Sequence, residues 1–453
     1  MDQQVGQRDA IATAPIEAVG GPTGADAQSS RQAWLVVAFL TLLSIISLLD
    51  RNIISLFMDD IKSYLQISDF QASLVYGGVF AVTFSLMGLP LGWAVDRFSR
   101  RKVIFGGVSL WSLATVACGL AWNFPSILVA RALVGAGEAA LVPSTQSIIS
   151  DSFPPERRTL PLSFYAMGQK AGAGIALVVG GALAAIFLPH VQYGLAGQAL
   201  MGWQIILVLI GLPGLAIACL IFAFAEPRRR HGGAAGGNSS YRDYLRFMRA
   251  NWRYFLGHHG GFIASQSMIT AIMAWTPSYL LRAHGWSASH AGLWFGSVIL
   301  VGPLLGLPVH GWLVDRLYQR GMRDAHLRYQ LFIISLSGAL LTAGYLVPNV
   351  IAGLALIGAG LTVLVGSPAA TASSLQMTVA GAQRGKAAAM WLLIGGVATF
   401  AGPSGVALLQ DRLFGDGAAL GQSLAIYMVI AAAFALVLFE IARRWLAHMA
   451  IER

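Results

Sequence analysis

Two acids and three bases stand at positions where the surrounding sequence is apolar. The run SIISLLDRNIISLF, residues 44–57, places Asp50 and Arg51 side by side. In RALVGAGEAALVPS, residues 131–144, Arg131 is followed seven residues later by Glu138, and Lys170 interrupts the apolar stretch 159–187. In hydrocarbon each such charge costs roughly 2.5–3.5 kcal/mol even on a lenient insertion scale. A carboxyl group beside a base can take up a proton in one surrounding and release it in another. Unpaired bases can receive an anion. Proton and anion exchange is therefore the chemistry these five residues point to, in preference to holding helices together, because buried ion pairs are weak contributors to stability.

Depth along the helices suggests who meets whom. At 1.5 Å per residue, Asp50 lies roughly 24 Å above the start of its apolar run, and Arg131 about 7–8 Å below the start of a run in the opposite direction. In a core of about 30 Å they share a level. Glu138 falls roughly 12 Å and Lys170 about 15 Å from the basic side. Adjacent residues point about 100° apart on a helix, so Asp50 and Arg51 serve different neighbours. The pairings by level are Asp50 with Arg131 and Glu138 with Lys170, with Arg51 to Glu138 as a competing choice. The five charges sum to +1, which suits an anionic headgroup. Glu138, nearer the midplane, is the first candidate for the proton and Asp50 the second.

The elements that position these residues are membrane helices. Of 453 residues, 56% are hydrophobic and only 11% charged, against about 25% charged in soluble domains. Apolar runs long enough to span a bilayer occur at 34–57, 71–95, 103–122, 126–148, 159–187, 203–225, 253–281, 289–314, 328–347, 350–374, 385–409 and 422–446. Of 30 Lys and Arg, 24 lie in the tails and in one set of connections, or just inside the span ends bordering them, so the positive-inside rule puts both termini in the cytoplasm. Topology thus accounts for the net charge of +10, with no need for a nucleic-acid partner. Residues 1–30 read as a disordered cytoplasmic tail. Residues 226–252 read as a cytoplasmic linker, with a Gly/Ser-rich centre and an amphipathic segment YRDYLRFMRANWRYF, dividing six spans from six (31–225 and 253–453).

A repeat supports that division. GWAVDRF at 92–98 returns as GWLVDRL at 311–317, each preceded by Gly-Leu-Pro. Parallel repeats of this kind are a transporter signature, with the site near the midplane between halves. At these residues the chain resembles the major facilitator superfamily. GWAVDRFSRRKV matches its loop motif, with Ser99 where many members have glycine. The resemblance implies an all-α membrane fold of twelve helices in two six-helix bundles. It also implies a cytoplasmic gate in which Asp96, and less closely Asp315, docks on a neighbouring helix end, with Arg97, Arg100, Arg157, Arg158 and Arg316 nearby. Within that superfamily LLDRN, DRFSRRK and RALVGAGEAALVPS are similar to the Spinster family of lipid transporters, which implies lysolipid or sphingoid-lipid substrates and proton coupling. The anion–cation symporters, which also carry Asp-Arg in the first span and Arg…Gly-Glu in the fourth, imply small organic anions instead.

The second half holds no acid or base at comparable depth. Its polar content is Ser265, Gln266, Thr270 and Gln376, with Trp275, Tyr279 and Trp391 nearby. Gln266, Trp275, Gln376 and Trp391 are the candidate substrate-lining residues. His258, His259 and His310 read as satisfied residues near helix ends. The asymmetry suggests an amphiphile, its head on the first half and its tail on the second. No nucleotide loop, nucleophile–base set or metal-ligand spacing appears, so no cofactor, metal or enzymatic activity is expected. The expectation is a monomeric multi-pass protein, in the inner membrane if bacterial, that moves an amphiphilic anion with protons by alternating access. A receptor or membrane enzyme without transport is the alternative from another class.

Overall fold

The computed structural model describes residues 30–154, 157–195, 198–229, 241–322, 324–379, 383–415, 417–446 and 448. The expected tail before Ser30 and the Gly/Ser centre of the linker, 230–240, lie outside them. Twelve helical spans follow one another. The first runs from Ser30 to Leu65, eight residues further than the apolar run suggests, through a 3₁₀ turn at Ile53–Phe57. The second, Asp69–Arg97, contains a π-helical turn at Leu74–Gly78. The third is Arg100–Gly119; the fourth, Phe124–Ser152, is interrupted after Glu138; the fifth is Thr159–Ile186. A small antiparallel hairpin, β1 (Gln192–Leu195) and β2 (Gln198–Met201), precedes the sixth, Gly202–Ala223.

A surface helix, Tyr241–Ala250, leads into the seventh span, Trp252–His284. Then come Ala288–Gln319, Ala325–Leu346, Val350–Thr378, Arg384–Phe414 and Leu420–Leu446. Eleven of the twelve are long and apolar enough by composition to cross a membrane. The seventh, at 33 residues, has the length but carries His258, His259, Ser265, Gln266 and Ser267 in its middle turns, so its composition alone falls short.

Spans 1 and 5, 3 and 6, 3 and 4, and 2 and 4 pack within the first bundle, and 7 with 11 and 12, and 9 with 10 and 12, in the second. Glycine sets the closest approaches: a Cβ on Gly137 would lie 2.7 Å from the Gly107 carbonyl. Between bundles, span 5 packs on span 8 and span 2 on span 11. Both contacts use the halves of the helices away from the termini. A Cβ on Gly292 would meet the Leu177 carbonyl at 2.5 Å, and Ser73 bonds Ser404 at 3.1 Å. Toward the basic end the bundles part. A Cβ at Gly88, Gly92 or Gly311 would meet nothing within 4 Å, and Trp93 and Trp312 are exposed.

Candidate functional site

The first helix leaves regular α geometry just after Asp50 and Arg51, and the fourth just after Glu138. The two interruptions meet. Arg51 Nη2 donates to Glu138 Oε2 at 2.6 Å, and Ser47 Oγ donates to the same oxygen at 2.8 Å. Glu138 is 1% exposed. The Arg51 guanidinium lies over the rings of Phe80 (4.3 Å) and Phe84 (5.2 Å) and is partly open to the cavity described below. Of the pairings open to Glu138, the structure forms the one with Arg51. Lys170 has no ion-pair partner among the described residues and is exposed.

Asp50 and Arg131 share a level but form no ion pair, which corrects the pairing inferred from depth. Arg131 donates instead to the carbonyls of Val75 (2.9 Å) and Tyr76 (2.8 Å). Both belong to the π turn of span 2, where the helical bonding pattern is disturbed and carbonyls are left for other donors. The buried guanidinium is thus committed to backbone. Asp50 is 2% exposed and forms no ion pair among the described residues; the Thr115 hydroxyl is the polar group beside its carboxyl.

A cavity of about 1100 Å³, including its open side, lies between the bundles. Arg51, Asn52, Gln169 and Lys170 give its first-half wall a polar, cationic face; Ile269, Met273, Ile299 and Leu361 give the second-half wall an apolar one. Gln266, Thr270 and Thr399 are polar groups on that second wall. The other three expected lining residues sit elsewhere. Trp275 is fully buried and donates from its indole to the Pro403 carbonyl at 2.9 Å, as a buried indole N–H requires. Trp391 stacks on Phe262 with ring centroids 3.6 Å apart. Gln376 is exposed on the second segment of span 10. His258 bonds His259 (3.3 Å) and the Thr371 carbonyl (3.1 Å), and His310 bonds the Thr362 carbonyl at 2.8 Å.

The end away from the termini is shut by a cluster that sequence reading did not single out. Arg282 of span 7 donates to Asp59 (Nε, 2.8 Å) and to both oxygens of Asp69 (2.9 and 3.1 Å), while Lys62 bonds Asp69 at 2.8 Å. The Phe70 amide donates to Asp411 at 3.1 Å. These bonds join the bundles. Arg282 and Lys62 were visible in the sequence as bases on the wrong side for the positive-inside pattern; that was the available signal.

The basic end is built differently from the expected gate. Arg100, fully buried, pairs with Asp151 and with Glu226 (3.2 Å), and bonds Ser147 and the Pro227 carbonyl. A buried cation needs acids at hand, and spans 4 and 6 deliver them. Asp96 does not dock on a helix end or on Arg157 or Arg158: its side chain stands exposed at the parted end, and only its backbone carbonyl accepts, from Arg229. Arg97 stacks on Trp93 and Arg316 on Trp312, Arg158 bonds the Phe153 carbonyl, and Arg157 and Asp315 are exposed. Burial alone would push the Glu226 carboxyl up; bonds from Ser99 and Arg100 outweigh it and hold it below the usual glutamate range.

The chain is similar to known proteins. Over 413 residues the chain is 25% identical to an MFS-type efflux pump of Mycolicibacterium smegmatis, covering 90% of this chain and 91% of that one. It is 28% identical to Protein spinster homolog 3 of Danio rerio, over 56% of this chain but only 49% of that relative's length. Among solved structures, a bacterial homolog to the human lysosomal transporter Spinster, inward-facing and unoccupied, superposes with a TM-score of 0.79 at 22% identity, covering 92% of this chain and 99% of that one. The sequence profile of the Major Facilitator Superfamily matches residues 40–403. Twelve membrane helices in two bundles around a central cavity, with that profile across most of their length, make this multi-pass membrane protein a transporter of the Major Facilitator Superfamily.

Proposed function

We propose that the chain is a proton-coupled secondary transporter of amphiphilic anions, working by alternating access. One observation carries this reading: Arg51 bonds Glu138 on one side and opens to the central cavity on the other. An anion entering the cavity competes with Glu138 for Arg51, and a proton on Glu138 removes that competition. Uptake of a proton and of an anion are thereby favourable to each other, which is the linkage a coupled carrier needs. Asp50, buried and without an ion pair among the described residues, is a second place for a proton. Lys170, unpaired in the cavity, supplies a further cation for the headgroup, and the Ile269–Leu361 wall receives the tail.

With both termini in the cytoplasm, the shut end faces outward and the cavity opens inward. The bonds of Arg282 to Asp59 and Asp69 then form the outer closure. Opening it requires the opposite end to close, where Asp96 and Asp315 stand free for docking. The similarity to Spinster proteins supports a lipid-like substrate. Two cations and the amides of Asn52, Gln169 and Gln266 around one cavity also favour a second reading, a symporter for small organic anions.

The test is uptake into proteoliposomes under a pH gradient, with a lysophospholipid or sphingoid phosphate against short dicarboxylates. Amphiphile uptake that rises with an inward-directed proton gradient supports the proposal. Preference for dicarboxylates selects the second reading. Protein that moves neither substrate in either direction would return it to a receptor or enzyme class.

A further inference from the structure

A second cavity, of about 470 Å³ including its open side, lies outside the transport path, at the basic end of the second bundle. It is bounded by Ala250–Tyr254, where the surface helix passes into span 7, and by Trp445 and His448 at the end of span 12. Arg253 is its centre. The guanidinium carbon stands 4.4 Å from the ring centroid of Trp445 and 5.3 Å from that of Trp252, so two indoles flank the cation. Among the described residues no carboxylate pairs with Arg253, in contrast to Arg246, Arg443 and Arg444, which bond Asp243 and Glu440. Its forked N–H groups are therefore fixed in direction and open to an acceptor.

The start of a long helix favours an anion at the same place. Span 7 begins at Trp252, and the first amides of a long helix have no acceptor of their own. His448, which also borders the pocket, donates from Nδ1 to the Arg444 carbonyl at 3.1 Å, so in the neutral ring Nε2 is an acceptor and offers the anion no bond. The surroundings are those of a membrane interface: Leu245, Trp252 and Leu256 are exposed, next to Arg249 and Arg253. Apolar and basic side chains alternating on one surface suit the boundary of headgroups and acyl chains, and basic pockets between spans hold phospholipid headgroups.

We propose that this pocket binds the phosphate of an anionic membrane phospholipid. Arg253 engages the phosphate bidentately, Trp252 and Trp445 flank it, and Leu245 and Leu256 lie along the acyl chains. Retention of the lipid fixes the surface helix against spans 7 and 12.

The experiment uses the full chain in detergent, with native mass spectrometry against phosphatidylglycerol, phosphatidylcholine and inorganic phosphate. Wild-type protein should retain phosphatidylglycerol over phosphatidylcholine, and Arg253→Gln should lower that preference about fivefold, the worth of one juxtamembrane charge. Equal retention by both proteins overturns the proposal. Retention of inorganic phosphate that displaces the lipid at equal concentration overturns the lipid assignment. Should Arg253→Gln fail to fold, a photoactivatable phosphatidylglycerol on the wild-type chain decides: crosslinks at 250–254 and 445–448 support the site, and crosslinks confined to other surfaces refute it.

Discussion

Replacing Glu138 by Gln keeps the shape of the side chain and its bond from Ser47 while removing the charge that holds Arg51. The magnitude follows from the geometry. An anion entering the cavity must displace one charge-assisted bond of 2.6 Å, worth about 1.5–3 kcal/mol. At 1.4 kcal/mol per decade, the variant should bind a phosphate amphiphile about 10- to 100-fold more tightly at neutral pH. Wild-type binding should tighten as pH falls, because the neutral acid releases Arg51; binding by Glu138→Gln should be flat with pH. The fold should persist, since Arg51 is 28% exposed and the cavity can hydrate it. The assays are titration calorimetry at two pH values and paired flux measurements in liposomes. Proton-driven accumulation should be abolished while substrate exchange continues. A variant with wild-type affinity and an intact pH dependence would remove Glu138 from the coupling and with it the competition for Arg51.

Three further expectations concern the two ends. Arg282→Ala leaves Asp59 and Asp69 without their shared guanidinium; it should destabilise the closure at the end away from the termini by about 1–3 kcal/mol and raise labelling of a cysteine placed in the cavity from that side. Unchanged labelling would show that the closure rests on helix packing alone. Gly292→Val puts a side chain where a Cβ already lies 2.5 Å from the Leu177 carbonyl; it should push spans 5 and 8 apart and lower thermal stability by about 1–3 kcal/mol, and a wild-type melting temperature would count against the close approach. Glu226→Gln should cost about 1–3 kcal/mol at neutral pH. Because the folded carboxyl is held below its unfolded value of about 4.3, that stabilisation is complete above this pH and is lost as pH falls further. The melting temperatures of wild type and variant should therefore converge in acid; a gap that persists there would refute the ionic account.

Much of the architecture was legible because it follows from composition. A span needs about 20 apolar residues whatever surrounds it, and the two copies of the Gly-Trp…Asp-Arg motif marked the halves. The seventh span was legible too, as the run 253–281, although its polar residues leave it less apolar than the other eleven; its packing on spans 11 and 12 fixes its place in the second bundle. The site residues were legible as types. Charges at Asp50, Arg51, Arg131, Glu138 and Lys170 are costly in hydrocarbon, and cost marks purpose. Glu226, Asp151, Asp59 and Asp69 escaped notice because acids near helix ends carry no such cost.

The sequence by itself determined how many helices cross the membrane, which end is basic and which buried positions carry charge. Only the tertiary structure decided the partners. Depth is a one-dimensional coordinate, and it placed Asp50 level with Arg131. Pairing depends also on the rotation of each helix about its axis and on where its regularity breaks. The 3₁₀ turn at Ile53–Phe57, the π turn at Leu74–Gly78 and the interruption after Glu138 each re-aim the charges beside them. Those breaks gave Arg131 to backbone carbonyls, left Asp50 without an ion pair among the described residues, and brought Arg51 to Glu138 at the wall of the cavity.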